Sequence, residues 1–125
     1  MTDSLAPTPR EMEILKVLWE HGPASVRDVY RLLAKDEDLA YNTIQTMLRI
    51  MEDKGLVKHR VEGRAFIYTP LYSREESVRG FLDRVFDGAA EQLVLTLLRA
   101  ERLSHQELER LHEMIQAARQ KKAGK

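Results

Sequence analysis

The sequence contains no cysteine, which removes disulfides, zinc fingers, thiolate clusters and a cysteine nucleophile. Long hydrophobic runs are also missing. The longest, Leu93-Val94-Leu95-Thr96-Leu97-Leu98, falls well short of the roughly 18 apolar residues that a membrane span needs. Nor is there an excess of charge of one sign: twenty Lys and Arg balance twenty Asp and Glu. Bulk charge alone therefore cannot hold the chain to nucleic acid or to an anionic membrane. The opening Met1-Thr2-Asp3-Ser4-Leu5-Ala6-Pro7 lacks the basic patch and apolar core of a secretory signal. A soluble, cytoplasmic protein is the expectation. What remains, 125 residues with 43% hydrophobic content, is enough for one ordinary domain or a small domain with an appendage.

Helix starts are the most explicit local signals. Thr8-Pro9-Arg10-Glu11 puts a hydroxyl at N-cap, proline at the first helical position and a carboxylate three residues on. Ser73-Arg74-Glu75-Glu76 and Ser104-His105-Gln106-Glu107 repeat the pattern, and Ser25-Val26-Arg27-Asp28 is a weaker version. A first helix is expected from about Pro9 to Glu20, burying Met12, Leu15, Leu18 and Trp19 and stopped by His21-Gly22-Pro23. A second runs from Val26 to Ala34 with Val26, Val29, Tyr30 and Leu33 inward, and Lys35-Asp36-Glu37-Asp38 follows as a loop. A third, Tyr41 to Lys54, buries Ile44, Met47, Leu48 and Met51 and is closed by Gly55.

The period then changes from 3.6 to 2. Leu56–Val61 and Ala65–Thr69 read as short strands joined by a turn at Glu62-Gly63-Arg64, with Pro70 ending the second. Three helices followed by a hairpin is the winged helix-turn-helix order. The fold class expected is mostly α, with a winged helix over residues 1–72, a three-helix region over 73–120 and a solvated tail over 121–125.

Three apolar stripes mark that second region: Val78, Phe81, Leu82, Val85 and Phe86; Leu93, Val94, Leu97 and Leu98; and Leu108, Leu111, Ile115 and Ala118. So small a piece can hardly bury them by itself. Two copies together can, so a homodimerisation element is expected there. The alternative is that it folds back onto its own first 70 residues.

The outer side of the third helix presents Tyr41, Asn42, Gln45, Thr46 and Arg49, with Thr43 nearby. Asn and Gln can pair bidentately with adenine, Arg with guanine, and a Thr methyl can meet a thymine methyl, which suits reading of a major groove. The position of this helix, third in order and ahead of a hairpin, points the same way. On the hairpin, Lys58 and Arg60 alternate with apolar residues, and Arg64 at the tip can grip a phosphate or enter a minor groove. Residues 1–72 carry ten basic against eleven acidic side chains, whereas residues 41–72 carry five against three. The positive surface is therefore local, and duplicating it in a dimer strengthens binding without any new contact.

No catalytic constellation, metal site or cofactor motif is found, so an enzyme is not expected. His21, His59, His105 and His112 are scattered and read as surface or boundary residues, the last two without a carboxylate at ligand spacing. The competing reading of the whole is a winged helix used for protein–protein contact without specific DNA binding.

Two runs carry a family resemblance: Thr8-Pro9-Arg10-Glu11-Met12-Glu13-Ile14-Leu15 with Leu18-Trp19, and Ala40-Tyr41-Asn42-Thr43-Ile44-Gln45-Thr46-Met47-Leu48. With Lys54-Gly55-Leu56-Val57 and Gly63-Arg64-Ala65-Phe66-Ile67-Tyr68-Thr69-Pro70, the chain resembles the penicillinase-repressor (BlaI/MecI) family from about Thr8 to Ile115. That resemblance implies a homodimeric transcriptional repressor of a palindromic double-stranded DNA operator, with Asn42, Thr43, Thr46 and Arg64 in the family's DNA-contact segments. It also implies a membrane sensor metallopeptidase as partner, with cleavage in the C-terminal helices releasing the dimer. Resistance members of the family carry Asn-Phe at the cleaved bond, and the matching place here is Thr96-Leu97. A copper-responsive branch uses a C-terminal cysteine cluster, which this chain lacks. Ala40 stands where a capping hydroxyl is expected ahead of the third helix, weakening that cap by ~1 kcal/mol.

Overall fold

All four hydroxyl caps form in the computed structural model, which describes residues 6–33 and 39–124. Thr8 opens α1 (Pro9–His21): its side chain accepts from Glu11 N–H while the Glu11 carboxylate accepts from Thr8 N–H, with Pro9 at the first helical position. Ser25 and Asp28 make the same reciprocal pair at the start of α2 (Val26–Leu33), a fuller box than the sequence promises. Ser73 and Glu76 open α4 (Arg74–Phe86), and Ser104 and Glu107 open α6 (His105–Ala123). The two remaining helices, α3 (Tyr41–Asp53) and α5 (Ala90–Arg99), begin behind alanines and have no side-chain cap.

The hairpin consists of β2 (Val57–Glu62) and β3 (Ala65–Pro70), with Glu62 opposite Ala65, so the turn is the two residues Gly63 and Arg64. Gly63 takes φ +61°, the glycine-first pattern that suits a two-residue hairpin. A two-residue strand, β1 (Ala24–Ser25), adds to the outside of β3 and gives the sheet order β1-β3-β2. It is too short to announce itself by alternation. The winged helix-turn-helix expected from the sequence is the fold observed.

Its core is formed by Ile14, Leu15, Val17 and Leu18 of α1, Val26 and Val29 of α2, and Ile44, Leu48 and Met51 of α3. Leu56, Val57, Tyr68 and Ala24 complete it. Ile14 and Val17 belong to this core although the sequence reading passed over them. Met12, Trp19, Tyr30, Leu33 and Met47 are only half-buried. Trp19 is held at the rim because its indole N–H donates to the Tyr72 carbonyl at 2.9 Å and the Arg74 guanidinium lies over its ring at 5.4 Å.

That anchor explains a difference in boundaries. The chain divides into two compact units after Gly80 rather than after Tyr72, because the first turns of α4 are tied to α1. A second difference lies at the far end, where the helix α6 continues through Lys121 and Lys122 to Ala123 in place of the expected tail. Lysines are good helix formers, and their charge complements a helix C-terminus. The Lys35–Asp38 loop and Ala34 lie outside the described residues. In the second unit, no residue of α5 or α6 is buried.

One ion pair inside the first unit joins elements distant in sequence. Glu11, only 5% exposed, accepts from Lys54 Nζ at 2.7 Å, linking the first turn of α1 to the last residue of the α3 end. Burial pushes the Glu11 carboxyl up, but the Lys54 ammonium and the Thr8 N–H outweigh it and hold the group below its ordinary 4.5. A depressed carboxyl stabilises the fold fully above its unfolded value, and this contribution is lost as the pH falls through the lower folded value. Lys54→Met should therefore destabilise the protein by ~3 kcal/mol at neutral pH, measured by denaturant unfolding. Glu11→Gln should reduce the loss of stability seen between pH 5 and pH 3 in the native chain. An unchanged acid profile in that variant would assign the acid sensitivity to other carboxylates.

Candidate nucleic-acid interface

Helix α3 is divided sharply by burial. Ile44, Leu48 and Met51, at i, i+4 and i+7, are fully buried, and Tyr41, Asn42, Thr43, Gln45, Thr46 and Arg49 are all exposed. Every side chain proposed from the sequence to read DNA on this helix thus faces outward. Tyr41 is the partial exception: its ring meets Tyr30 of α2 edge-on at 5.6 Å, so it packs the entry of α3 as well as facing solvent. Ile50, 47% exposed, extends the outward face by another turn and was not foreseen.

The start of α3 is electrostatically open. Ala40 has extended backbone and offers no side-chain acceptor; its carbonyl takes the Thr43 and Ile44 N–H groups, and the helix has no side-chain cap ahead of them. A helix N-terminus in that condition favours an anion such as phosphate.

The hairpin places the remaining candidates. Lys58, Arg60 and Arg64 are all exposed, with Arg64 in the turn itself. Arg60 is engaged by Glu62, 2.9 Å from its Nε and 2.7 Å from its terminal nitrogen. Such exposed pairs are worth ~0–1 kcal/mol and exchange readily for a phosphate. Among the described residues no carboxylate pairs with Arg49, Lys58 or Arg64. Lys54, by contrast, is committed to Glu11. Exposed cations without a carboxylate partner are thus present on both α3 and the hairpin, although the chain as a whole is neutral.

Sequence reasoning missed the contact between these two elements. Gly55, at φ +83°, reverses the chain after α3, a conformation that glycine alone adopts cheaply. The reversal brings Glu52 of α3 and His59 of β2, seven positions apart, to 2.7 Å. Phe66 of β3 stacks on the same imidazole with ring centres 4.1 Å apart. No spacing rule flags such a pair, because it depends on the left-handed turn between its members. His105, expected to lack a carboxylate neighbour, lies 3.5 Å from Glu109 on the exposed face of α6. The pair is a helical i, i+4 contact, and no group of three or more potential metal ligands occurs among the described residues.

The family model described as Penicillinase repressor matches residues 7–117, nearly the whole chain and every candidate residue on α3 and the hairpin. The chain belongs to the penicillinase repressor family. Its similarity to the penicillinase repressor of Bacillus licheniformis is 32% identity over 116 residues, covering 90% of this chain and 91% of that protein. The methicillin resistance regulatory protein MecI of Staphylococcus aureus is 24% identical over 109 residues, covering 84% and 89% respectively. A solution structure of the DNA binding domain of the repressor BlaI superposes with a TM-score of 0.52 at 36% identity, covering 56% of this chain and 85% of that one. The same shares and identity, with a TM-score of 0.50, apply to the Bacillus licheniformis BlaI monomeric form in complex with the blaP half-operator.

Within this penicillinase repressor fold, Ala40 is a position where stability and anion binding oppose each other. Ala40→Ser should cap α3 and raise unfolding free energy by ~1 kcal/mol. Ala40→Asp should stabilise the helix comparably, yet weaken binding to duplex DNA, because its carboxylate would sit where phosphate is favoured. Denaturant unfolding and a DNA titration on both variants check the pair of outcomes. Equal DNA affinity in Ala40→Asp and the native chain would show that the start of α3 does not approach the phosphates.

Proposed function

We propose that this penicillinase repressor family member is a homodimeric transcriptional repressor that binds a palindromic double-stranded DNA operator. The observation that carries the proposal is the wholly exposed polar face of α3 beside an exposed hairpin arginine. In this reading α3 enters the major groove and Asn42, Thr43, Gln45, Thr46 and Arg49 meet base edges, with Tyr41 at the groove margin. Lys58, Arg60 and Arg64 hold the wing to the backbone or the minor groove. Repression follows from occupancy of the operator and needs no catalysis or cofactor.

Dimerisation supplies what one copy lacks. The first 72 residues carry a net charge of −1, so a single half-site contact is weak, and joining two raises the effective concentration of the second. The helices after Tyr72 offer the means. Val78, Phe81, Val85, Val94, Leu97, Leu98, Leu108, Leu111 and Ile115 are exposed in the single chain, and Met114 joins them at 61% exposure. Leu82, Phe86 and Leu93 are only half-buried. Exposed apolar surface on this scale marks an interface, and we assign it to a second copy of the chain.

Release from DNA is assigned to proteolysis at Thr96-Leu97, performed by a membrane sensor metallopeptidase. The bond lies within α5, where Thr96 Oγ1 donates to the Gln92 carbonyl at 2.8 Å, so α5 must unwind locally before it can be cut.

Equilibrium binding to a duplex enriched from a randomised pool tests the reading. The affinity should fall with salt at a log–log slope of about −0.9 per phosphate neutralised. Arg64→Ala should weaken all sequences alike and reduce that slope by about one. Gln45→Ala or Thr46→Ala should relax discrimination by ~1–3 kcal/mol at one position of the site. Loss of neither affinity nor slope in Arg64→Ala would remove the wing from the interface. Sedimentation at micromolar concentration should give a dimer, and a monomer there would overturn the role assigned to the helices after Tyr72.

A further inference from the structure

Beyond His59 the hairpin leaves the core. Residues 60–66 are all exposed, whereas Val57 and Tyr68 at its base are buried. A projecting two-stranded ribbon has too few contacts to hold its own angle, so its base must set where Arg64 lies relative to α3. His59 is the last residue of β2 that is not exposed. There the ribbon meets the helix: His59 Nδ1 donates to the Glu52 carboxylate, 2.7 Å from Oε1 and 2.9 Å from Oε2, and His59 N–H donates to Oε2 at 3.3 Å. The ring of Phe66, on the projecting part of β3, lies nearly parallel to the imidazole at 4.1 Å and 12°. Tyr68, paired with His59 across the strands, meets the imidazole at 5.7 Å and 49°. The imidazole is thus hydrogen-bonded to α3 and stacked on the ribbon at once.

The carboxylate itself has a telling position. Glu52 stands three residues after Arg49 on the helix proposed to approach DNA, where a free negative charge would repel phosphate. Its oxygens are turned to His59 instead.

We propose that Glu52, His59 and Phe66 form a positioning latch that fixes the angle between the wing and α3, so that Arg64 and the outer face of α3 engage one duplex together. This inference rests on the reading of α3 and the wing as the DNA-contacting surface. None of the three latch residues touches DNA in it. Glu52 and His59 act through the placement of Arg64, and Phe66 transmits that placement along the ribbon.

A double-mutant cycle between His59 and Arg64 in the full chain tests the latch, using the duplex that the native chain enriches from a randomised pool. Arg64→Ala should weaken binding about tenfold in the native background. In His59→Ala the same change should cost less than about twofold, because a wing of unfixed angle no longer presents its arginine. His59→Asn keeps a donor near the Nδ1 position and should restore most of the tenfold effect. His59→Phe keeps the stack without the donor and should behave as His59→Ala. Circular dichroism and thermal melts establish that each variant is folded, and Glu52→Ala takes the place of His59→Ala if the latter is not.

A merely structural role would lower the folded fraction without abolishing the Arg64 effect. An equal Arg64 effect in every folded background therefore overturns the latch and leaves the repressor reading standing. Failure of the native chain to enrich any duplex overturns that reading itself, and the latch with it.

Discussion

The burial of Ile44, Leu48 and Met51 along one side of α3 fixes which residues of that helix reach the outside. Successive residues turn about 100° around a helix axis, so a slip of one position would carry Asn42 or Thr46 toward the core and an apolar residue toward solvent. Three fully buried side chains at i, i+4 and i+7 specify the rotation of the helix and so keep its polar face outward. The ends are fixed separately. Tyr41 meets Tyr30 at the start, and Lys54 is bound by Glu11 just past the end. The start nevertheless lacks a side-chain cap, which leaves local helix stability below what a serine or aspartate would give.

The electrostatics follow from how individual charges are used rather than from their sum. A neutral chain presents a cationic surface when some cations are neutralised internally and others are not. Lys54 is spent on a buried carboxylate, Arg31 on Asp28 and Arg60 on Glu62, while Arg49, Lys58 and Arg64 have no carboxylate partner among the described residues. Glu52 of α3 is occupied by His59. Such pairing shapes a local field that composition averages away, and local field is what a phosphate backbone meets.

The two units contrast in how their apolar residues are used. In the first, apolar side chains from three helices and the sheet converge on one core. In the second, α6 opens with a capping box and α5 has no side-chain cap, yet no residue of either helix is buried. Regular helices with exposed apolar faces are stable when something covers those faces, because short helices gain most of their stability from packing.

Much of this was legible in the chain. The four capping boxes, the change of period at Gly55, the turn at Gly63-Arg64 and the polar face of α3 all depend on residues within a few positions of one another, and local rules read them. The reading failed where neighbours in space are distant in sequence or joined by an unusual backbone. Ile14 and Val17 entered the core because α1 is covered on more than one side, β1 exists only because β3 is present to pair with it, and α4 begins inside the first unit because Trp19 and Arg74 meet. The Glu11–Lys54 pair and the Glu52–His59–Phe66 cluster belong to the same class. Sequence determined which helix could read DNA, through its periodicity; tertiary structure decided which charges remain free and how the wing is held, because both depend on contacts made only after the chain has folded.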